Sequence, residues 1–298
     1  MREKSKLKIK NGSEFEAKEF NNVKEIIYNS VKKYNEKTAF TIKNKNGKEI
    51  NYKNISYSKL LEDINQLGTA YYSLGLKNDR IAIIGKNRYE WILAHLSNLL
   101  GGIVSIPLDK DLQLEELENS LIRSKAKAIV FDTKLLETIK KIQARNNTQI
   151  QKYICMDETD GYEDIPNLLK KGKELINNGN EEFINNQIDE NKMNILLFTS
   201  GTTSKSKAVM LSQKNIASNI YALQCVEDIR PTDTNIAFLP LHHIFGSVGQ
   251  LMMLACGVRT AFPDGLRYVK QNKAPIDLNF IPLATLNHKQ DHGNACNN

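Results

Sequence analysis

Residues 199–207 concentrate side chains suited to holding an anion. Between the apolar runs 195–198 and 208–211 the chain places six small hydroxyl residues (Thr199, Ser200, Thr202, Thr203, Ser204, Ser206), one glycine (Gly201) and two lysines (Lys205, Lys207). Apolar runs of four residues read as short buried strands, so the polar residues fall on the loop that joins them. Hydroxyls, backbone N–H groups and ammonium groups converging on one loop can cradle phosphate oxygens. An ordinary polar hairpin loop is the alternative. A Walker-type P-loop fails on spacing, because no second glycine follows Gly201 before either lysine.

A second cluster is Pro240-Leu241-His242-His243-Ile244-Phe245-Gly246, directly after the apolar run 236–239. A strand over that run puts the histidines at its carboxyl end, where α/β sheets bind ligands. The competing reading is that two adjacent imidazoles point to opposite faces and merely satisfy backbone carbonyls. A metal centre on this pair is a poor reading, since no Cys or carboxylate lies near it in sequence. His288, His292 and Cys296 have helical spacing, but Gly293 and the flanking asparagines make a helix there doubtful and only three ligands are on offer. No metal-ligating residues are therefore assigned.

The elements that position these groups alternate. Val23, Ile26, Ile27, Val31 and Tyr34 mark an amphipathic helix. Residues 38–43 and 50–55 read as strands around an Asn46-Gly47 turn. Leu60, Leu61, Ile64, Leu67, Tyr71 and Leu74 line a second helix that Gly75 is placed to end. Then come strands at 81–84, 103–106 (stopped by Pro107), 126–131 and 153–156, separated by helices at 87–100, 112–123 and 133–144. Such alternation predicts an α/β fold, with parallel-sheet layers flanked by helices. The acidic, Asn- and Gly-rich stretch 158–191, with one helix near 168–176, is the candidate connection between subdomains.

The loop resembles the phosphate-binding signature of the adenylate-forming (AMP-dependent synthetase/ligase) superfamily, roughly Tyr/Phe-Thr-Ser-Gly-Thr-Thr-Gly-x-Pro-Lys-Gly-Val. Phe198 to Thr203, Lys207 and Val209 match, whereas Ser204, Ser206 and Ala208 replace the usual Gly, Pro and Gly. The resemblance extends to Asp79-Arg80-Ile81-Ala82-Ile83 with Gly85, Asn87, Glu90 and Trp91, and to Gly101-Gly102-Ile103-Val104-Ser105-Ile106-Pro107. The histidine cluster is similar to the family's Pro-Leu-x-His-x-x-Gly segment, with His243 on its histidine. Phe262-Pro263-Asp264-Gly265-Leu266-Arg267 looks most like long-chain fatty acid–CoA ligases.

The resemblance implies ATP-dependent activation of a carboxylate, a long-chain fatty acid by the closest subclass, to acyl-AMP and then acyl-CoA. ATP, Mg2+ and coenzyme A are the implied cofactors. Thr199, Ser200, Gly201, Thr202, Thr203 and Lys207 would grip the phosphates, His243 would orient the carboxylate or stabilise charge, and Phe245 and Gly246 would shape the acyl pocket. The expected organisation is a first α/β subdomain over 1–190, the phosphate-loop part of a second over 191–272, and a divergent tail over 273–298. Family members are about twice this length, so the chain is expected to be the N-terminal part of such a ligase. A non-catalytic nucleotide or acyl binder, or a partner of a full-length relative, is the alternative.

Composition bounds the rest. A 25% charged, 41% hydrophobic chain of 298 residues can bury a sizeable core. The formal charge of +7 comes from scattered lysine, read first as compositional bias and second as an acidic partner. No nucleic-acid-binding motif accompanies it. Four cysteines without a CxxC fit free thiols in a reducing compartment. No apolar leader is visible, and the uncharged stretch 234–258 is too interrupted by Pro, Gly and His for a spanning helix. A cytoplasmic location is expected, with peripheral membrane contact left open.

Overall fold

A computed structural model describes residues 15, 17–46, 49–199 and 207–262. In chain order the elements are α1 (Val23–Tyr34), β1 (Thr38–Asn46), β2 (Glu49–Ser56), α2 (Tyr57–Ser73), β3 (Arg80–Ile84), α3 (Tyr89–Leu100), β4 (Val104–Leu108), α4 (Leu114–Ser124) and β5 (Ala128–Phe131). A 3-10 turn (Thr133–Leu135) then leads into α5 (Leu136–Arg145), β6 (Lys152–Cys155), β7 (Glu163–Asp164) and α6 (Ile165–Asn177). The last are β8 (Met193–Thr199), β9 (Lys207–Ser212), α7 (Gln213–Val226), β10 (Thr234–Ile236), α8 (Ile244–Ala255) and β11 (Arg259–Ala261).

The strands form two sheets. One has the order β7-β6-β5-β3-β4-β8-β9 and is parallel except for the antiparallel β8–β9 pair. The other has the order β10-β11-β1-β2, with β1 parallel to β11 and antiparallel to β2. This is the layered α/β architecture the alternation predicts.

Strand alternation divides the core. Ile81, Ile83, Ala128 and Val130 face a large apolar cluster that also takes in α1, α2, α3 and α8. Ala82, Ile84, Ile129 and Phe131 face the opposite side, against Leu117 and Leu121 of α4 and Ile139 and Ile142 of α5. Successive side chains leave a strand on opposite faces, so a strand apolar at every position has to be covered on both. Helix α3 is the extreme case: every residue from Tyr89 to Leu100 except Glu90 is buried, as expected of a helix without a charged face.

Local signals set the boundaries. Ser56 caps α2 by accepting from Lys59 N, and Gly75, at φ +79°, takes the left-handed geometry just beyond its end. Ser212 and Asn215 form a reciprocal capping box on α7. The hairpin expected around Asn46 pairs from Thr38↔Ser56 to Asn46↔Glu49, while Gly47 lies outside the described residues.

Pro107 does not end its strand. It sits inside β4 in register with Ile83, whereas pairing with β8 is confined to Ser105↔Ile195. A proline without an N–H is tolerated where one ladder has already ended. The stretch 158–191 is also more structured than a connection requires. Asp164 pairs with Cys155, α6 packs against α2, and Phe183 is buried edge-on against Tyr72 at 5.4 Å.

Candidate functional site

The carboxyl ends of the parallel strands open onto a cleft of about 1080 Å³. One wall comes from residues just past the strands: Gly85, Lys86, Asn87 and Arg88 after β3, Asp109, Lys110 and Asp111 after β4, Asp132 and Thr133 after β5, and Asp157 after β6. The opposite wall is Ala237, Phe238, Pro240 and His242 after β10, with Phe262 after β11. Side chains at strand ends can gather here because parallel strands all deliver their last residues to the same edge.

Asn87 ties the two walls together. Its Nδ2 donates to Ala237 O at 2.8 Å and Leu239 O at 2.7 Å, and its Oδ1 accepts from Leu241 N at 3.1 Å. This explains why β10 ends at Ile236, earlier than its apolar run suggests. The Ala237 N–H still donates to Ala261 O at 2.9 Å, but Ala237 O, Leu239 O and Leu241 N bond one amide instead, and the chain then turns into α8.

Arg88 organises the acidic side. Its guanidinium binds Asp157 through two bonds of 2.9 and 2.7 Å and Glu90 through one of 2.6 Å, with Asp132 3.8 Å away. Burial works against the Arg88 charge, but the hydrogen bonds and fields of Asp157 and Glu90 outweigh it and raise its pKa. Burial likewise pushes the Asp157 carboxyl up, and the bonds from Arg88 and Thr133 reverse this and hold it below its usual value. Asp132 caps the following turn through Oδ1, while its buried Oδ2 has no hydrogen-bond partner among the described residues.

Two of the six residues assigned to phosphate binding are described. Thr199 is the last residue of β8 and Lys207 the first of β9, and they face each other in register, both exposed. They form the mouth of the loop. Ser200, Gly201, Thr202 and Thr203 lie outside the described residues, as do His288, His292 and Cys296. Among the described residues no group of three His, Cys, Asp or Glu side chains is arranged to hold a metal ion.

The two histidines diverge. His243 is the N-cap of α8, exposed, with Nδ1 accepting from Phe245 N at 3.3 Å. His242 lines the cleft, its Nε2 3.5 Å from Asp109 Oδ2. Burial lowers the His242 pKa, and the neighbouring His243 and Lys110 add to this against the opposing pull of Asp109. Phe245 is 43% exposed. Gly246 is buried against backbone: a Cβ there would lie 2.2 Å from Pro240 O. It borders a void of only about 20 Å³, shared with Asn235 and Gln250.

Sequence reasoning missed the Arg88–Asp157 pair, Asp132 and the His242–Asp109 pair. A signal was present: Asp109, Asp132 and Asp157 each follow within two residues of a short, buried parallel strand.

Residues 27–277 match the sequence pattern of a family described as AMP-binding enzyme. The long-chain-fatty-acid–CoA ligase 5 of Rattus norvegicus is 28% identical over 252 residues, which cover 75% of this chain and 36% of that protein. The chain thus spans about a third of the length of this relative. A long-chain-fatty-acid-CoA ligase from Archaeoglobus fulgidus superposes with a TM-score of 0.70 at 18% identity, covering 83% of this chain and 47% of that one. ATP-bound MatB from Rhodopseudomonas palustris superposes with a TM-score of 0.68 at 23% identity, covering 84% and 46%.

Proposed function

Since this chain belongs to the AMP-binding enzyme family, we propose that it forms the N-terminal part of an ATP-dependent ligase that activates a carboxylate. The substrate we assign is a long-chain fatty acid, converted to acyl-AMP and then acyl-CoA. The observation that carries this reading is the β8–β9 hairpin, whose register sets Thr199 opposite Lys207 at the ends of the phosphate signature.

In-line attack of a carboxylate on the α-phosphate of ATP spreads negative charge over phosphoryl oxygens, so the protein's task is chiefly to position and neutralise. Lys207 supplies a cation at the loop mouth and Thr199 a hydroxyl, with Ser200, Gly201, Thr202 and Thr203 completing the grip. Mg2+ would be held largely by the phosphates themselves. His243, at the start of α8, would face the substrate carboxylate, with Phe245 and Gly246 at the acyl entrance. Coenzyme A would meet Lys86 and Lys134 in the cleft, whose other cations Arg88 and Lys110 are ion-paired with Asp157 and Asp111, and His242 with Asp109 would orient it.

Calorimetric titration with ATP and Mg2+ tests this reading. The 298-residue chain should bind weakly, and Lys207→Ala should weaken binding further. Fatty-acid-dependent exchange of pyrophosphate into ATP should be absent from this chain, because its match spans about a third of the relative's length. Failure to bind ATP at all would overturn the proposal and leave an acyl or protein binder as the reading.

A further inference from the structure

Beside the cleft lies a second chamber of about 390 Å³, between the β1–β2 hairpin, α2 and α6. The two cavities share three lining residues, Ile42, Tyr89 and Glu90, so the start of α3 is the wall between them. The adenylation reading gives this chamber no task.

Its floor is apolar. Ile55, Leu93 and Ile165 are buried side chains whose edges line it, and Leu169 and Pro166 extend it along α6. Its rim is charged, and the charges are unequally matched. The three carboxylates are already engaged: Asp63 accepts from Tyr89 Oη at 2.7 Å and from Lys59 at 2.9 Å, Glu62 binds Lys59 at 3.0 Å, and Glu90 binds Arg88. Of the four lysines lining it, only Lys59 has an ion-paired carboxylate among the described residues. Lys53, Lys170 and Lys173 form no ion pair among the described residues: Lys170 donates to Asn167 Oδ1, and Lys173 acts on Glu62 only through its field.

We propose that this chamber is a second binding site, for a free aliphatic anion whose chain lies on the Ile55–Leu93–Leu169 floor and whose carboxylate or phosphate head meets Lys53, Lys170 and Lys173. Paired carboxylates leave the rim with surplus positive charge, and an apolar floor beneath it rewards burial of a hydrocarbon chain. A compact polar anion would gain nothing from the floor, and an alkane nothing from the rim. A ligand here touches Tyr89 and Glu90, and through Glu90 the guanidinium of Arg88 in the cleft. The site therefore has a physical route to the cleft without opening into its centre.

The experiment is calorimetric titration of the 298-residue chain with dodecanoate and dodecyl phosphate below their micelle thresholds, with dodecanol and inorganic phosphate as controls. Both anions should bind, dodecanol and phosphate about tenfold more weakly or worse. Lys170→Glu with Lys173→Glu reverses charge on exposed positions of α6 and should weaken both anions by about tenfold, as should Leu169→Trp, which fills the floor. Circular dichroism melting confirms that the variants are folded. Unchanged affinity in folded variants would place the ligand elsewhere and overturn the proposal. So would binding to anionic phospholipid vesicles without binding of the monomeric amphiphiles, which would make the lysines a membrane-facing surface instead.

Discussion

The Oδ1 of Asn87 accepts a hydrogen bond from the backbone N–H of Leu241, 154 positions later, at 3.1 Å. The same side chain donates to Ala237 O and Leu239 O, so one amide satisfies three main-chain groups of the segment that leads to His242 and His243. It spans the cleft from the β3 wall to the α8 wall, and so determines how far apart the two candidate walls stand.

Replacing Asn87 should therefore cost more than its partial exposure suggests. Asn87→Ala leaves two carbonyls and one N–H without protein partners, a loss of about 2–4 kcal/mol from net bond energies and residual desolvation. Urea unfolding measures it. A loss below about 0.5 kcal/mol would show that water replaces the amide freely and that the clamp is not structural.

Gly246 and Phe245 are adjacent, yet their substitutions should differ in opposite senses to their size. Gly246→Ala forces a methyl to 2.2 Å from Pro240 O, so α8 has to move, at about 1–3 kcal/mol. Phe245→Ala removes a ring that is 43% exposed and should change stability by about 0.5 kcal/mol or less. Under the acyl-entrance reading, Phe245→Ala acts on acyl binding instead. Paired melts and acyl titrations separate the two effects.

His95 should make the fold acid-sensitive. It is buried on α3, its Nδ1 hydrogen-bonds Ser105 Oγ at 2.8 Å, and its Nε2 has no partner among the described residues. Burial pulls its pKa from 6.5 down to about 3. The unfolded chain thus takes up a proton that the folded chain refuses. The stability linked to His95 is complete above pH 6.5 and falls by about 1.4 kcal/mol per unit as pH drops from there toward the folded value. Stability of the chain minus that of His95→Gln, measured by urea unfolding between pH 4.5 and 7.5, should show this slope. A difference independent of pH would mean that His95 protonates in place.

Lys207→Ala should lower ATP affinity by about tenfold, or about 1.4 kcal/mol, with an unchanged melting temperature, because the side chain is exposed at the first position of β9. Calorimetry at two salt concentrations gives the check: the lost increment should shrink as salt screens it. Equal affinities would remove Lys207 from the phosphate grip.

Much of this architecture is legible in the chain itself. The alternation of short apolar runs with amphipathic stretches determined a layered α/β fold, since strands such as β5, apolar at every position, and β3, apolar and buried from Ile81 onward, can only be satisfied by cover on both faces. The order Phe-Thr-Ser-Gly-Thr-Thr with Lys207 pointed to phosphate chemistry, because a local loop writes its groups consecutively. Strand and helix ends were legible where a cap or a left-handed glycine marks them, as at Ser56 and Gly75. Tertiary structure decided the rest. Pro107 stays in β4 because of where β8 stops pairing, and β10 ends early because Asn87 captures its continuation. His242, Asp109, Arg88 and Asp157 are scattered from position 88 to 242 and share no local pattern. The parallel arrangement delivers Arg88, Asp109 and Asp157, past the ends of β3, β4 and β6, to one edge, and the other sheet brings His242, past β10, to within 3.5 Å of Asp109. Contacts within a turn or a loop are encoded by neighbours in sequence, whereas a cleft between two sheets exists only once the chain has closed on itself.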